Sequence, residues 1–282
     1  MRAIGLALLL LMAPLGGTAL AWGPEGHSIV AEVAQQRLSP QAAAAVQMLL
    51  GGRSLASVAS WADDVRDQRP GTGQWHFVDI PLDVNQYDPA SVCKQTPDGD
   101  CVVAELDRLK TDLRCAGSAA GKLDALKFAV HFVGDVHQPL HAVGDARGGN
   151  DIPVAVFLKG LACTQACKTP QLSNFHAAWD SDLIHATVFA WGAYVDRLEQ
   201  GWLKTPEAHR DGIDGGTPKQ WALETHAAAQ TVWNLLAPNH VIDDSYIQSV
   251  LPVMDRQLGV AGLRLARLLN DAYASNSCAA PQ

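Results

Sequence analysis

The chain has 282 residues, of which 48% are hydrophobic, 18% are charged and 6% are aromatic, and its formal net charge at pH 7 is −8. These values are typical of a globular protein and exclude a fibrous, disordered or multi-span membrane protein. An acidic chain receives no general electrostatic attraction towards nucleic acid or an anionic membrane surface. If its substrate carries phosphate, the attracting positive charge must therefore come from a source other than a Lys/Arg patch.

The first 21 residues have the three parts of a secretory signal peptide. Arg2 precedes the apolar run Ala3–Met12, and small residues follow up to an Ala-Leu-Ala sequence that ends at Ala21. The apolar run is too short for a membrane span, which needs about 20 continuous apolar residues. We therefore expect cleavage after Ala21. The mature chain, residues 22–282, would be secreted or periplasmic.

Helical patterns predominate along the rest of the chain, with apolar residues at helical spacing. The predicted helices are Ser28–Gln36, Pro40–Leu50, Leu55–Arg66, Val102–Leu113, Lys122–Val136, Asn174–Thr187, Ala193–Trp202, Lys219–Leu236 and Asp244–Ala274. Strand patterns are confined to Trp75–Ile80 and Ile152–Leu158, and the Gly/Pro/Asp/Asn-rich stretches Pro81–Asp100 and Gly144–Asn150 predict loops. No repeat or linker divides the chain. The sequence thus predicts a mainly α, single-domain multi-helix bundle with at most a small β-hairpin.

Six cysteines lie after the predicted signal peptide, and an even count in an exported chain favours disulfides. They are Cys93, Cys101, Cys115, Cys163, Cys167 and Cys278. The simplest of the fifteen possible connectivities joins the two close pairs, 93 with 101 and 163 with 167, and leaves 115 with 278. A metal site at the 163/167 pair is the alternative, although no second cysteine pair accompanies it.

The segment from His131 to His141 carries the strongest chemical pattern. His131 and Asp135 are four residues apart, so they share one face at the end of a predicted helix that is otherwise apolar. Pro139 should end that helix, which lets His141 return from a turn. Imidazole and carboxylate in apolar surroundings need a partner, and zinc suits this mixture of ligands. The alternative for an isolated pair is a buried His–Asp hydrogen bond.

Other segments repeat this combination of ligand-type residues in hydrophobic surroundings. His176 and Asp180 have the same four-residue spacing, Asp63 and Arg66 lie three apart in another predicted helix, and His76 sits in an apolar run. A salt bridge, a solvated acid or a satisfied core histidine could explain each one alone. Their joint occurrence favours a metal centre.

The predicted mature terminus adds a further set of ligands. Cleavage after Ala21 gives a chain that begins with Trp22 and carries His27 on the first helical turn. An unperturbed α-amine has a pKa of about 8 and becomes a metal ligand on deprotonation. Together with the carbonyl of Trp22, this amine can form a five-membered chelate, which an uncleaved precursor could not offer.

With these motifs in this order, the sequence resembles the secreted single-strand-specific zinc nucleases of fungi and plants with bacterial relatives, the class I nucleases, which are distant kin of zinc phospholipase C. The motifs are the N-terminal Trp with His five residues later, Trp-Ala-Asp, Trp-His-Phe, His-Phe-Val-Gly-Asp with Gln-Pro-Leu-His, Gly-Gly-Asn, and Asn-x-His with Trp-Asp. They extend from Trp22 to about Val260.

The resemblance implies three Zn²⁺ per chain. The first ion would be held by Asp63, His76, His131 and Asp135, the second by His141, His176 and Asp180, and the third by the Trp22 amine and carbonyl, His27 and Asp135. Asp135 would then bridge the first and third ions. Three ions and three aspartates leave the site near +3, which supplies the attraction for phosphate that the acidic chain lacks.

The resemblance also implies the reaction. A hydroxide bridging the zinc pair that shares Asp135 would attack the phosphodiester, Arg66 would stabilise the transition state, and Asn150 would contact the nucleotide. Single-stranded DNA and RNA would yield 5′-phosphorylated products, and 3′-nucleotidase activity is a plausible accompaniment. No membrane and no obligate protein partner is expected. His137 is a candidate for a group that orients a ligand.

Two other functions remain open at this point, a zinc phospholipase C and a non-catalytic zinc-binding protein. The Arg66 and Asn150 motifs weigh against the phospholipase. The open coordination of a second site with three protein ligands weighs against simple zinc storage. The stretch Phe157–Leu172, with its cysteine pair, is longer than the connection expected of fungal and plant members, so base preference does not follow from the resemblance.

Overall fold

The structure is a computed structural model that describes residues 22–157, 169–274 and 278. Its helices are α1 Pro24–Gln35, α2 Pro40–Leu50, α3 Trp61–Asp64, α4 Pro89–Val92, α5 Val102–Cys115, α6 Ala119–Asp135, α7 Phe175–Ala177, α8 Leu183–Thr187, α9 Trp191–Gln200, α10 Pro218–Leu235 and α11 Asp244–Tyr273. The predicted signal peptide, the Cys163/Cys167 pair and most of the Phe157–Leu172 stretch lie outside the described residues. The mainly α prediction is confirmed.

Local sequence signals fix the ends of the long helices. Ser118 accepts a hydrogen bond from the backbone N–H of Gly121 at the start of α6, and Thr217 forms a capping box with Gln220 at the start of α10. Each cap satisfies backbone donors that have no partner within the helix. The α2 helix ends at Gly51, whose φ of +62° is left-handed and suits glycine.

The long helix α11 packs along α1 and forms the centre of the fold. At Gly262 a Cβ atom would come within 2.3 Å of the Val33 side chain, so glycine allows the two helices to approach closely. The α1 helix thereby becomes buried along most of its length, and its N-terminal end, with Trp22 and His27, is fixed inside the protein.

The predicted strand Ile152–Leu158 is confirmed as β1, Pro153–Val156, but the sheet has three strands instead of a hairpin alone. β1 pairs antiparallel with β2, Gln171–Asn174, and parallel with β3, Val241–Ile242. The sequence analysis did not predict β2 and β3, because β2 has the largely polar sequence Gln-Leu-Ser-Asn and β3 has only two residues, so neither carries the apolar pattern of a strand.

Two other predicted elements differ in the structure. The predicted helix Leu55–Arg66 is a 3₁₀ turn at Ala56–Val58 followed by the single turn α3, because Ser60 between them has φ −96° and ψ 1° and leaves helical geometry. The prediction of a strand at Trp75–Ile80 is wrong, because a 3₁₀ helix spans Pro70–His76. After it, Val78 donates its backbone N–H to the carbonyl of His141, and the carbonyl of Ile80 accepts the N–H of Gly144.

The predicted helix Asn174–Thr187 is present as α7, a π-helical turn over Ala178–Asp182, and α8. Asn174 ends β2, and its side chain accepts the N–H of Ala177 as an N-cap. A π turn adds a residue to the helical ladder and is common at functional sites. Asp180 lies inside this turn, so its position differs from that in a regular helix.

The Cys93–Cys101 disulfide is present, as expected from the close spacing. Cys115 and Cys278 are free thiols in the structure, although the two side chains interact, and hydrogen bonding to Cys278 raises the pKa of Cys115. Within the described residues no helix is long and apolar enough to cross a membrane.

Candidate metal centre

The C-terminal end of α6 places His131 and Asp135 on the same face, and both are fully buried. His131 donates its Nδ1–H to the carbonyl of Ala59 at 2.7 Å, which leaves Nε2 directed at the carboxylate of Asp135, 3.3 Å from Oδ2. An apolar helix therefore ends in two adjacent potential ligands. Their four-residue spacing is the one that the sequence indicated.

His76 and Asp63 complete a first group around these atoms. His76 Nδ1 lies 3.0 Å from Asp135 Oδ2 and 3.2 Å from His131 Nε2, and Asp63 Oδ1 lies 3.5 Å from His76 Nδ1 and 3.6 Å from His131 Nε2. Zinc bonds of about 2.0–2.1 Å give a tetrahedron with edges of about 3.4 Å. The four ligand atoms therefore have the spacing of a zinc tetrahedron.

His27 approaches the same carboxylate from α1. Its ring stacks on that of His131 at a centroid distance of 3.8 Å, and its Nε2 is 3.3 Å from Asp135 Oδ1. This approach depends on Gly134, where a Cβ atom would come within 2.6 Å of His27 Nδ1. Asp135 thus directs one oxygen to each of two ligand groups. Trp22, also fully buried, packs against Gly26 in α1 at this end of the site.

His141, His176 and Asp180 form a second group. His141 Nε2 and His176 Nε2 are 3.1 Å apart, and His176 Nε2 is 3.7 Å from Asp180 Oδ2. Each ring donates its Nδ1–H to a backbone carbonyl at 2.7 Å, that of His76 for His141 and that of Gly148 for His176. These carbonyls fix the tautomers in which both Nε2 atoms can bind a metal.

The polar atoms of the centre are poorly satisfied by the protein alone. Buried ligand atoms without a hydrogen-bond partner include His27 Nε2, Asp63 Oδ1 and Asp135 Oδ1. Buried polar atoms nearly always have a partner, so a concentration of unpartnered ligand atoms fits a bound cation. Among the residues that the structure describes, three groups have the composition and spacing of metal sites: His27–Asp63–His131, His76–His131–Asp135 and His141–His176–Asp180.

The pKa shifts agree with a cation site at the centre. Burial lowers the pKa of His27 to about 4, so this ring is neutral at pH 7. Burial also lowers the pKa of His131, but the carboxylates of Asp135 and Asp63 outweigh it and raise that pKa well above its usual value. Without metal, a proton on His131 therefore offsets only part of the charge of the two carboxylates, and a metal ion would replace that proton.

A cavity of about 640 Å³ opens onto the two groups. His76, His141 and His176 line it together with Arg66, whose Nη2 donates to the carbonyl of Gly73 at 3.1 Å. The cavity thus joins candidate metal ligands to a cationic side chain that can bind an anion.

Asn150 also lines this cavity, but its Nδ2 donates to the carbonyl of Arg147 at 2.8 Å. Its side chain therefore stabilises the loop that carries it. A contact with a nucleotide would use its remaining oxygen acceptor and second N–H.

Two features of the site escaped the sequence prediction. Gln138 is fully buried and contacts Asp180, whereas His137, the expected orienting group, donates to the carbonyl of Val133 and accepts from Arg264 away from the cavity. Gly134 makes room for His27. The sequence signal for the role of Gln138 was its position between the ligand motifs of Asp135 and His141. Nothing in the sequence indicated that Gly134 makes room for His27.

Comparisons with known proteins place the chain among nucleases. The family model for S1/P1 Nuclease matches residues 22–274. Nuclease P1 of Penicillium citrinum is 30% identical over 282 residues, covering 90% of this chain and 98% of its own length. Endonuclease 4 of Arabidopsis thaliana is 29% identical over 296 residues, covering 95% of each chain, and Nuclease S1 of Aspergillus oryzae is 28% identical over 277 residues, covering 88% of this chain and 91% of its own.

The fold and site therefore define a metal-dependent hydrolase that acts on phosphodiester bonds. The chain belongs to the S1/P1 nuclease family, which confirms the resemblance seen in its motifs.

Proposed function

We propose that the mature chain is a zinc-dependent endonuclease that hydrolyses single-stranded DNA and RNA to 5′-phosphorylated products, with 3′-nucleotidase activity as an accompaniment. The observation that carries the proposal is a set of three His/Asp ligand groups, two of which open onto a cavity that also contains Arg66, in a chain of the S1/P1 nuclease family.

Three Zn²⁺ fit the donor set. The ligands are Asp63, His76, His131 and Asp135 for the first ion, His141, His176 and Asp180 for the second, and Trp22, His27 and Asp135 for the third. Three ions bring +6 and the three aspartates −3, so the loaded site is near +3 in a chain of formal charge −8. This local charge supplies the phosphate attraction that the acidic surface lacks.

Zinc bound at such a centre supplies Lewis acidity towards phosphate oxygens and lowers the pKa of water towards neutrality. The chain's own contribution is orientation. Arg66, held by Gly73 at the cavity wall, would pair with a phosphate oxygen and stabilise the charge that develops in the transition state. Asn150 at the rim would hydrogen-bond to the nucleotide.

Selection of single strands follows from the depth of the site. His76, His141 and His176 are between 1% and 5% exposed, so a phosphate reaches them only by entering the cavity. A single strand can bend inwards and splay its bases, whereas a duplex resists both changes because its bases are stacked and paired. No group in the site requires a 2′-hydroxyl, so RNA and DNA would both be substrates.

We also propose that the chain is exported and begins at Trp22. Trp22 is fully buried beside the metal centre, and the N–H of Gly23 donates to the carbonyl of Asp180 at 2.8 Å. A cleaved terminus at this position would place its amine among the ligands. N-terminal sequencing of the exported protein tests this directly.

The reaction is tested with mature protein starting at Trp22 and loaded with zinc. Heat-denatured DNA, annealed duplex and RNA are incubated with and without a chelator, and products are identified by mass spectrometry. We expect chelator-sensitive release of 5′-phosphorylated fragments, faster from denatured DNA than from duplex. No hydrolysis of nucleic acid together with cleavage of phosphatidylcholine would transfer the function to a phospholipase C.

A further inference from the structure

Gln138 is an uncharged side chain buried between the first and second ligand groups. It lies three residues after Asp135 and three before His141, its backbone N–H donates to the carbonyl of Asp135 at 3.0 Å, and its side chain is fully buried. A buried amide must satisfy its hydrogen-bonding atoms within the protein. The hydrogen-bond partners of the Gln138 amide therefore indicate its role.

Both ends of the amide serve the second ligand group. Its Nε2 donates to Asp180 Oδ1 at 2.6 Å, and its Oε1 accepts the N–H of Leu140. The first bond leaves Asp180 Oδ2 as the oxygen that faces His176. The second caps the 3₁₀ turn Pro139–Ala142, which carries His141. One side chain thus connects two of the three candidate ligands.

The imidazole rings of the two histidines in this group are held differently from the Asp180 carboxylate. His141 and His176 donate to backbone carbonyls, and no substitution can remove a carbonyl. Asp180 is held by a side chain and lies in a π-helical turn, where the regular helical ladder is interrupted. Among the described contacts that hold these three ligands from outside, that of Gln138 is made by a side chain. Substitution of Gln138 can therefore test how the ligands of this group are positioned.

We propose that Gln138 is a positioning residue for the second zinc ion: it selects the Asp180 oxygen that binds the metal and fixes the turn that presents His141. The inference rests on the proposed zinc centre. Outer-shell partners of metal ligands contribute about 10–100-fold to metal affinity. Loss of this amide should therefore weaken one zinc site of the three.

The variant Gln138→Met keeps the side-chain volume and removes both hydrogen bonds. Gln257→Met is the matched control, because Gln257 is also buried and donates to the His137 carbonyl and to Thr225 instead of to a ligand. Zinc affinity is measured by stepwise competition with a chelator, and melting temperatures are recorded for the chelated and the loaded forms of each protein.

We expect Gln138→Met to bind two zinc ions as the wild type does and the third about 10–100-fold more weakly. Gln257→Met should lower the melting temperature of both forms and leave all three affinities unchanged. Three wild-type affinities in Gln138→Met would overturn the inference while leaving the zinc centre intact. A wild-type protein that binds no zinc would instead contradict the proposed function.

A measurement on the wild type covers the case in which Gln138→Met does not fold. In protein with ¹⁵N-labelled glutamine, the Gln138 side-chain amide protons should exchange slowly with solvent and shift when the last zinc equivalent binds. The amide of Gln257 serves as the internal reference. An unchanged Gln138 signal at full zinc occupancy would contradict a role for this amide in the second site.

Discussion

Asp135 and Asp180 are both buried carboxylates, but they are satisfied in opposite ways. Burial raises the pKa of Asp135, but the charge and hydrogen bonds of His131, His27 and His76 outweigh it and bring that pKa well below its usual value. Asp180 has an amide donor, Gln138, and burial raises its pKa well above the usual value. The first carboxylate is ionised by its imidazole neighbours before metal binds.

The difference shows how the same ligand type can be prepared for a cation in two ways. Around Asp135, three rings within 3.3 Å hold the carboxylate in its charged form. Around Asp180, burial opposes ionisation of the carboxyl group, and an amide supplies orientation instead of charge. In the proposed centre, the arrangement around Asp135 favours a tightly held pair of ions that share this carboxylate. The arrangement around Asp180 favours a single ion that is easier to remove.

The largest expected effect is at the shared carboxylate. In the proposed centre Asp135 serves two zinc sites, so Asp135→Asn should lose two zinc ions and reduce kcat/KM by about 1,000-fold or more. Asp180→Asn should lose one ion. The number of zinc ions per chain is measured by metal analysis of both purified variants. An equal number in the two variants would contradict the difference between Asp135 and Asp180.

The next effect concerns the terminus. In the proposed centre the α-amine of Trp22 is a ligand of the third ion, and a chain that keeps one extra alanine before Trp22 would move that amine out of the site. We expect this protein to hold two zinc ions and to lose most of its nuclease activity, while its circular dichroism stays that of the mature chain. Full activity in the extended form would remove the Trp22 amine from the centre.

Arg66 should affect chemistry without affecting metal. Arg66→Ala is expected to lower kcat by about 100-fold, the usual cost of removing one donor to transition-state charge, with three zinc ions retained. Arg147→Ala is a suitable control, since Arg147 lines the same cavity but is exposed and pairs with Asp151. Steady-state kinetics on a defined single-stranded oligonucleotide measure both. Loss of zinc in Arg66→Ala would make its role structural.

The smallest expected effect is the pH dependence of the metal-free protein. Burial lowers the pKa of His27 to about 4 and that of His176 to about 3, so both rings bind fewer protons in the folded than in the unfolded chain. Their contribution to stability should therefore increase as pH rises from about 4 to about 6.5. Urea unfolding of chelated wild type and of a His27→Gln/His176→Gln variant across this interval measures it as the difference between the two proteins, which removes the opposing contribution of Asp180. A difference that stays flat or falls with rising pH would contradict these shifts.

The sequence was sufficient to place the long helices and to nominate the ligands. The i, i+4 spacing of His131 with Asp135 reports directly on a helical face, and His176 with Asp180 gave the same indication although their helix contains a π turn. The strand predicted at Trp75–Ile80 was wrong because an apolar run looks like a strand in the sequence whether or not another strand pairs with it in the fold.

The supporting contacts could not be predicted in the same way. The carbonyls of Ala59 and Gly148 become partners of His131 and His176 only when distant segments meet, and a backbone group leaves no trace in the residue type. Gly134 and Gln138 are visible in the sequence, but their roles depend on which atom lies opposite them in the folded chain.

Anomalous diffraction at the zinc edge, from crystals of the mature chain, tests the central claim most directly. We expect three zinc peaks: one among Asp63, His76, His131 and Asp135, one among His141, His176 and Asp180, and one between His27, Asp135 and the Trp22 amine. Fewer than three peaks from fully loaded protein, or a peak that Asp135 does not share, would contradict the account.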